Sequence, residues 1–122
     1  MPWTVLFADA FVPEFQALAE DVQDAIRTYA AALAELGPQM GRPRADTLKG
    51  SSHSNMKELR PTVNKVEWRV AFAFDTKREA VLLAAVAKGG DKTAYARLIA
   101  TADKRFAEHL RAIEDEENRR GR

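Results

Sequence analysis

Six side chains in the middle and second half of the chain are of types that bind and transform phosphate esters. They are Lys57, Glu58, Arg60, Arg69, Lys88 and Tyr95. Arginine binds phosphate oxygens in a bidentate manner and stabilises added negative charge. A lysine among other cations can act as a base, and a tyrosine can donate to a phosphate or stack on a nucleobase. Together such groups meet the needs of metal-free RNA cleavage: a 2′-hydroxyl loses a proton, a phosphorane is stabilised, and the leaving 5′-oxygen gains a proton.

Charge is distributed unevenly along the chain. Residues 42–69 hold seven basic and three acidic residues, whereas residues 1–36 hold six acidic residues and one basic residue. The formal net charge of +1 therefore conceals a basic middle segment. A basic patch offers a binding surface to a polyanion, of which nucleic acid is the commonest in a cell. Lys49 and Lys92 are further candidates for contacting RNA.

Bulk properties exclude several classes of protein. With 122 residues and nearly half of them apolar, the chain is expected to form one globular domain. Cysteine is absent, which excludes disulfides and thiolate sites and favours a reducing cytoplasm. No apolar run is long enough for a membrane span. His53 and His109 are far apart and lack the spacing of metal ligands, and no phosphate-binding glycine motif occurs, so neither metal nor cofactor is predicted.

The first half of the chain predicts one strand and one long helical region. Trp3 to Ala8 is a short apolar strand. Apolar residues recur at three- and four-residue spacing from Pro13 to Leu36, which indicates one amphipathic helix or a broken pair. Gly37-Pro38 ends it, and a loop rich in Gly, Pro and Ser follows to about residue 55.

The second half predicts three strands and a final helix. A short strand covers 56–60, a strand of period two covers 66–75, and a hairpin at 75–78 leads to a strand over 79–87. After Gly89-Gly90, Asp91 is expected to cap a helix that extends to Ile113. The fold class is α+β, with an antiparallel-dominated sheet of about four strands and helices mainly on one side. Residues 1–113 form the domain, and 114–122 are a charged tail expected to fray.

Strand alternation predicts which candidates share a face. Arg69 must point away from the apolar face of its strand, and Glu58 and Arg60 must point away from the probable core residue Leu59. If the two strands pair, these three side chains line one groove, which Lys88 and Tyr95 could close. Lys57 lies two residues before Leu59 and therefore points to the same face of the sheet. It is expected to lie near a sheet edge or to extend outward to solvent.

A structural role remains open for each candidate. The two arginines could form ordinary surface ion pairs with Glu58 and Glu67. Tyr95 continues the apolar stripe of its helix and could be a core residue. His53 is expected to be a solvated loop residue and His109 a residue of the helix surface.

Several motifs occur in an order that resembles a known family. The segments are LKGS, MKELRP and WRVAFAFD, followed by a hydrophobic strand and a K-x6-Y pattern that opens a helix. They resemble the RelE/HigB-type toxins of type II toxin–antitoxin systems, within the RelE/ParE superfamily, and in particular the phage-derived RelE-like toxins. The resemblance covers roughly residues 3–110 and implies the RelE-like fold. It also implies a ribosome-dependent, metal-independent endoribonuclease that cleaves mRNA. The implied partners are the ribosome, mRNA and a cognate antitoxin of helix-turn-helix type; contact with operator DNA is implied only through the antitoxin complex, and none with a membrane.

The resemblance also implies roles for individual residues. Arg69 matches an arginine that contacts the scissile phosphate, and Tyr95 matches a tyrosine near the start of the last helix. Lys57 and Arg60 fall in the basic strand of the family. The sequence departs from the family at two positions, where Glu58 replaces a catalytic lysine and Gly89 replaces a phosphate-binding arginine. Lys49, Lys57, Lys88 or Lys92 could compensate, or Glu58 could itself serve as the general base.

Two other functions fit the same predicted scaffold. One is a ParE-like inhibitor of DNA gyrase without nuclease residues, which the two departures from the family pattern keep open. The other is a non-catalytic module that binds nucleic acid or a protein. Because a fold hosts many functions, only the site and its activity can separate the three.

Overall fold

The protein is described by a computed structural model that covers residues 2–89 and 92–121. The elements in chain order are β1 (Thr4–Phe7), α1 (Phe11–Gln16), α2 (Glu20–Leu36), a 3-10 turn (Gly37–Gln39), β2 (Ala45–Thr47), β3 (Lys57–Leu59), β4 (Thr62–Val63), β5 (Val66–Phe74), β6 (Glu79–Ala87) and α3 (Lys92–Arg120). Gly90 and the predicted helix cap Asp91 lie outside the described residues. The helical region of the first half consists of two helices, α1 and α2. This agrees with the second of the two predicted alternatives, a broken pair rather than one helix.

The strands form one mixed sheet in the order β1-β6-β5-β3-β2, with β4 pairing with the start of β5. Only β1 and β6 are parallel, and the remaining pairs are antiparallel. The predicted α+β class and antiparallel-dominated sheet are therefore confirmed. The predicted number of about four strands is too low, since the described residues form six. The additional strands β2 and β4 are three and two residues long, too short to show a period-two pattern.

Helices cover both faces of the sheet. Helices α1 and α2 pack on one face through Phe11, Ile26 and Leu33, whereas α3 packs on the other through Leu98 and Phe106. The expectation of helices mainly on one side is wrong. It fails because the second face of β5 is lined by alanines, which were not read as core residues. Small side chains at these positions leave room for a helix to pack closely against the sheet.

A β-bulge divides the long β5–β6 hairpin. Ala71 pairs with Ala84 while Phe72 pairs with Leu82, so Leu83 is an extra residue on β6. An extra residue reverses the alternation of all side chains beyond it. Odd-numbered residues of β6 face α3 before the bulge, and even-numbered residues face it afterwards. Lys88, just beyond β6, continues this even-numbered series and therefore points toward the α3 face.

Helix α3 continues well past the domain boundary expected from the sequence. Residues 114–120 are helical, and Glu116 is paired with Arg119 and Arg120 at 2.9 and 3.3 Å. Fraying of this charged end stays a prediction. Among the described residues, no helix combines the length and apolar character needed to cross a bilayer.

Candidate functional site

An open cleft of about 430 Å³ lies where the end of β6, the neighbouring strands β5 and β3, and the first turn of α3 meet. Its lining residues are Glu58, Arg60, Arg69, Val86, Ala87, Lys88, Gly89, Lys92 and Tyr95. The cleft thus brings together six of the eight side chains that the sequence put forward. It lies on the face of the sheet that α3 covers.

Strand register explains why these side chains converge. Glu58 on β3 is paired with Ala71 on β5, and residues paired across strands share a face. Arg69 lies two residues from Ala71 and so points to the same side. The bulge places Lys88 on this side as well. The backbone N–H of Lys88 donates to the carbonyl of Glu67 at 2.7 Å, which fixes the chain at the cleft edge.

The Glu58 carboxylate connects three of the lining residues. Its side chain is buried. The Oε2 atom lies 3.2 Å from Nε of Arg60 and 3.4 Å from Nε of Arg69. The Oε1 atom accepts a hydrogen bond of 2.5 Å from the Tyr95 hydroxyl. A single carboxylate therefore holds two guanidinium groups and a phenol in one arrangement.

The two arginines differ in how tightly they are held. Arg69 is only 3% exposed; its Nη1 donates to the carbonyl of Trp68 at 2.9 Å and its Nη2 lies 3.7 Å from Oε1 of Glu67. Arg60 is more open, with 29% of its side chain exposed. Although Nε of Arg60 is close to Glu58, this buried atom has no hydrogen-bond partner among the described residues. The Nη1 atom of Arg60 lies 3.9 Å from Oδ2 of Asp46. Because part of its side chain is exposed and its contacts are ion pairs rather than hydrogen bonds, Arg60 retains donor capacity for a bound anion.

The Tyr95 hydroxyl is the donor in its hydrogen bond to Glu58. Burial of its side chain, the hydrogen bond to Glu58 and the negative charge of that carboxylate raise the pKa of Tyr95 well above its ordinary value. The phenol is therefore neutral throughout the physiological range. It can position Glu58 and donate to a ligand, but it is not a general base.

The cleft carries a net positive charge. Four cations and one carboxylate line it, a net of +3. Within the described parts of the chain, neither Lys88 nor Lys92 forms an ion pair, so both ammonium groups can meet a ligand. Lys92 begins α3, and the positive end of the helix dipole adds to the attraction for an anion. This combination suits a phosphate group.

Two of the predicted residues lie elsewhere. Lys57 is paired with Phe72, so it shares the face that packs against α1 and α2 and does not line the cleft. Lys49 is exposed. The next residue, Gly50, lies close to α3, since a β-carbon added there would be 3.5 Å from Cδ1 of Ile99. The catalytic role predicted for Lys57 and the RNA-binding role predicted for Lys49 stay predictions.

Sequence reasoning missed the contact that ties the loop before β3 to α3. The Ser51 hydroxyl donates to Asp103, as do the backbone N–H and hydroxyl of Ser52 at 2.9 and 3.0 Å. Burial alone would raise the pKa of Asp103, but the hydrogen bonds from Ser51 and Ser52 hold it below its ordinary value. This anchor fixes β3, and with it Glu58, against α3. About fifty residues separate the partners in sequence, so no local pattern reveals the contact.

Comparison with known proteins identifies relatives of the chain. Residues 13–107 match the family described as phage derived protein Gp49-like. A Mycobacterium tuberculosis protein named as toxin HigB2 is 49% identical over 90 residues, which cover 72% of this chain and 45% of that protein. The chain thus spans about half the length of this relative. A second protein of the same organism, named as toxin HigB3, is 42% identical over 93 residues, covering 75% of this chain and 79% of its own length.

A solved structure shares the fold. A mutant of the E. coli toxin RelE in the free state superposes with a TM-score of 0.62 at 13% identity, covering 86% of this chain and 98% of that one. At this identity the match concerns the fold alone, and it confirms the RelE-like arrangement expected from the motifs. On the match over residues 13–107 and the two relatives, the chain belongs to the phage-derived Gp49-like family.

Proposed function

We propose that the protein is the toxin of a type II toxin–antitoxin system and acts as a ribosome-dependent, metal-independent endoribonuclease that cleaves mRNA. The observation that carries this proposal is the convergence of Arg60, Arg69, Lys88 and Lys92 on one open cleft. Relatives named as toxins support the biological role. An anionic phosphodiester is the ligand that four converging cations bind best.

The chemistry follows from how each cation is held. Arg69 is buried and fixed by Glu58, so it supplies a preorganised positive charge next to the scissile phosphate. Arg60, whose side chain is 29% exposed, can contact phosphate oxygens as negative charge builds up on the phosphorane. The 2′-oxygen forms its bond to phosphorus while the bond to the 5′-oxygen breaks. The products are a 2′,3′-cyclic phosphate and a 5′-hydroxyl.

Proton transfer is assigned to the lysines rather than to Glu58. Both oxygens of Glu58 are engaged, one by Tyr95 and the other between two guanidinium groups. We therefore infer that Glu58 is a positioning residue. Lys88 has no carboxylate partner in the described structure and lies at the cleft edge. Its ammonium group can protonate the leaving 5′-oxygen, and Lys92, when its amine is uncharged, can accept the 2′-hydroxyl proton.

The proposal includes the partners of such a toxin. A cognate antitoxin of helix-turn-helix type would neutralise it, and operator DNA would be contacted only through that complex. The substrate is mRNA held by the ribosome, which places the action in the cytoplasm. Neither a metal ion nor an organic cofactor is required for the proposed reaction.

The proposal is tested by inducing the chain in cells and mapping mRNA ends. Wild type should arrest translation and produce codon-phased cuts, and Lys88→Ala and Lys92→Ala should each reduce cutting at least about tenfold. Lys104→Ala is the matched control, since it removes an exposed lysine from α3 outside the cleft. Intact mRNA in translationally arrested cells would reject the nuclease.

The same experiment separates the second candidate, a ParE-like inhibitor of DNA gyrase. Glu58 and Gly89, both in the cleft, stand where the family pattern has a lysine and an arginine, and this loss of positive charge favours the alternative. Induction of the DNA-damage response with intact mRNA would support it. Unaffected growth at high expression would instead indicate a non-catalytic binding module.

A further inference from the structure

A second group of polar side chains lies at the opposite end of the sheet. Asp75 and Glu79 flank the turn between β5 and β6, and His109 approaches them from α3. Potential ligand atoms of the three residues all lie within 4.8 Å of one another. The shortest contact joins Nε2 of His109 to Oδ2 of Asp75 at 2.7 Å.

Two of these side chains are held in place by other contacts. The Asp75 side chain is completely buried. Its Oδ1 atom accepts the backbone N–H groups of Lys77 and Glu79 at 2.8 and 3.0 Å, which leaves Oδ2 directed at His109. The imidazole of His109 stacks on the Phe106 ring with a centroid distance of 6.3 Å and an interplanar angle of 16°. Both ligand atoms are therefore directed at one point, and an ion would enter by replacing the hydrogen bond between them.

Two carboxyl groups in contact require a positive species between or beside them. The Glu79 side chain is hydrogen-bonded to Asp75, and the ligand atoms of the two carboxyl groups lie within 4.8 Å of each other. Like charges this close cannot both be ionised without compensation. A proton can supply that compensation, and so can a metal ion. A divalent cation would neutralise both carboxylates at once and also use the imidazole.

We propose that Asp75, Glu79 and His109 bind a divalent transition-metal ion of the zinc class. One imidazole nitrogen and two carboxylate oxygens are a ligand set that zinc accepts, with a fourth position left for water. Magnesium and calcium prefer oxygen ligands alone. The ion would tie the tip of the β5–β6 hairpin to the middle of α3. No local sequence pattern marks this site, because a hairpin and a distant helix supply its ligands.

A second cleft adjoins the site on the side of His109. This space of about 390 Å³ lies between the end of β1 and α3, and His109 is among its lining residues. Asp9 and Glu108 also line it, and their charges attract cations. Arg105, the cation in this lining, is paired with Glu14. The surroundings of His109 in this cleft are thus mainly acidic.

The proposed ion lies far from the cationic cleft. Asp75 follows Arg69 by six positions along the extended chain of β5, and His109 follows Tyr95 by fourteen positions along α3. At about 3.3 Å per strand residue and about 1.5 Å per helical residue, both paths give roughly 20 Å. The ion would brace the fold and take no part in RNA cleavage. This inference does not rest on the proposed function.

Thermal unfolding of the full chain, without an affinity tag and stripped of metal, tests the site. Free Zn²⁺ at about ten times its dissociation constant should raise the midpoint by roughly 5 °C for a chain of this size. Mg²⁺ and Ca²⁺ at the same concentration should not. His109→Gln should abolish the shift, measured against the variant's own metal-free midpoint. His53→Gln, which changes the other histidine, should retain it.

A spectroscopic measurement protects the test against a variant that folds poorly. Co²⁺ in place of zinc should give visible ligand-field absorption with wild type and weaker, altered bands with Glu79→Gln. The proposal is overturned if zinc does not shift the midpoint up to about 1 mM. It is also overturned if the shift survives in His109→Gln, or if Mg²⁺ produces the same shift as Zn²⁺.

Discussion

Replacing the carboxylate that holds the cleft together should be far more costly than replacing its exposed neighbour. Glu58 and Glu67 both approach Arg69, at 3.4 and 3.7 Å. The Glu58 side chain is 5% exposed, whereas that of Glu67 is 56% exposed. Solvent screens the second pair and not the first. The two glutamates thus form a matched comparison on a single arginine.

The magnitude follows from what each change leaves behind. Glu58→Ala leaves the buried guanidinium of Arg69 with only the solvent-screened Glu67 as a counterion, and breaking a buried pair in this way costs about 3–5 kcal/mol. Arg60 can turn toward solvent, which favours the lower part of that range. Glu67→Ala removes an exposed pair and should cost at most about 1 kcal/mol.

Urea unfolding of the purified variants measures both effects from the shift in midpoint at unchanged slope. A double-mutant cycle of Glu58→Ala with Arg69→Met should give a coupling free energy above about 1.5 kcal/mol, because removing both charges relieves the unpaired one. The reasoning is refuted if Glu58→Ala costs less than about 1 kcal/mol, or if the two glutamate variants are equally destabilised.

Three further predictions concern the surroundings of the cleft and the anchors of the fold. Gly37→Ala should destabilise the protein by about 1–3 kcal/mol in urea unfolding, because φ is +57° and the new β-carbon would overlap the Trp3 indole; Gly41→Ala, with open space around it, should cost under about 1 kcal/mol. Asp103→Ala should lower stability near neutral pH. Folding depresses the pKa of Asp103, so the stability that its carboxylate contributes is present above the unfolded pKa of about 3.9 and is lost as the pH falls through the folded pKa. The difference in unfolding free energy between wild type and Asp103→Ala should therefore close in acid. A difference that stays constant with pH would contradict the assignment. Tyr95→Phe should cost about 1 kcal/mol by removing the donor to Glu58, and the wild-type cleavage rate should show no titration of this phenol between about pH 6 and 10; a rate step that disappears in Tyr95→Phe would count against it.

Regular patterns in the sequence predicted the parts of the structure that depend on local periodicity. The alternation along β5 predicts that Arg69 points away from the face of Val70 and Phe72, and the structure agrees. The amphipathic spacing of α2 and α3 locates the helices in the same way. Such features follow from nearest-neighbour geometry and need no knowledge of distant contacts.

Other features depend on contacts that local periodicity does not reveal. The extra residue Leu83 reverses the side-chain parity of β6, and no turn residue marks it in the sequence. The buried alanine face of β5 hides the docking surface of α3. Asp103 and His109 meet their partners about fifty and thirty residues away, so their pairing depends on the tertiary fold.

The chemistry at the ends of cleaved mRNA tests the central claim most directly. Purified chain is added to ribosomes programmed with mRNA, and the new ends are mapped with methods that distinguish a 5′-hydroxyl from a 5′-phosphate. Cleavage by the cleft cations predicts 5′-hydroxyl ends with wild type and Lys104→Ala, and their loss in the Lys88→Ala, Lys92→Ala double variant. Uncut mRNA, 5′-phosphate ends, or equal cutting by the double variant would contradict it.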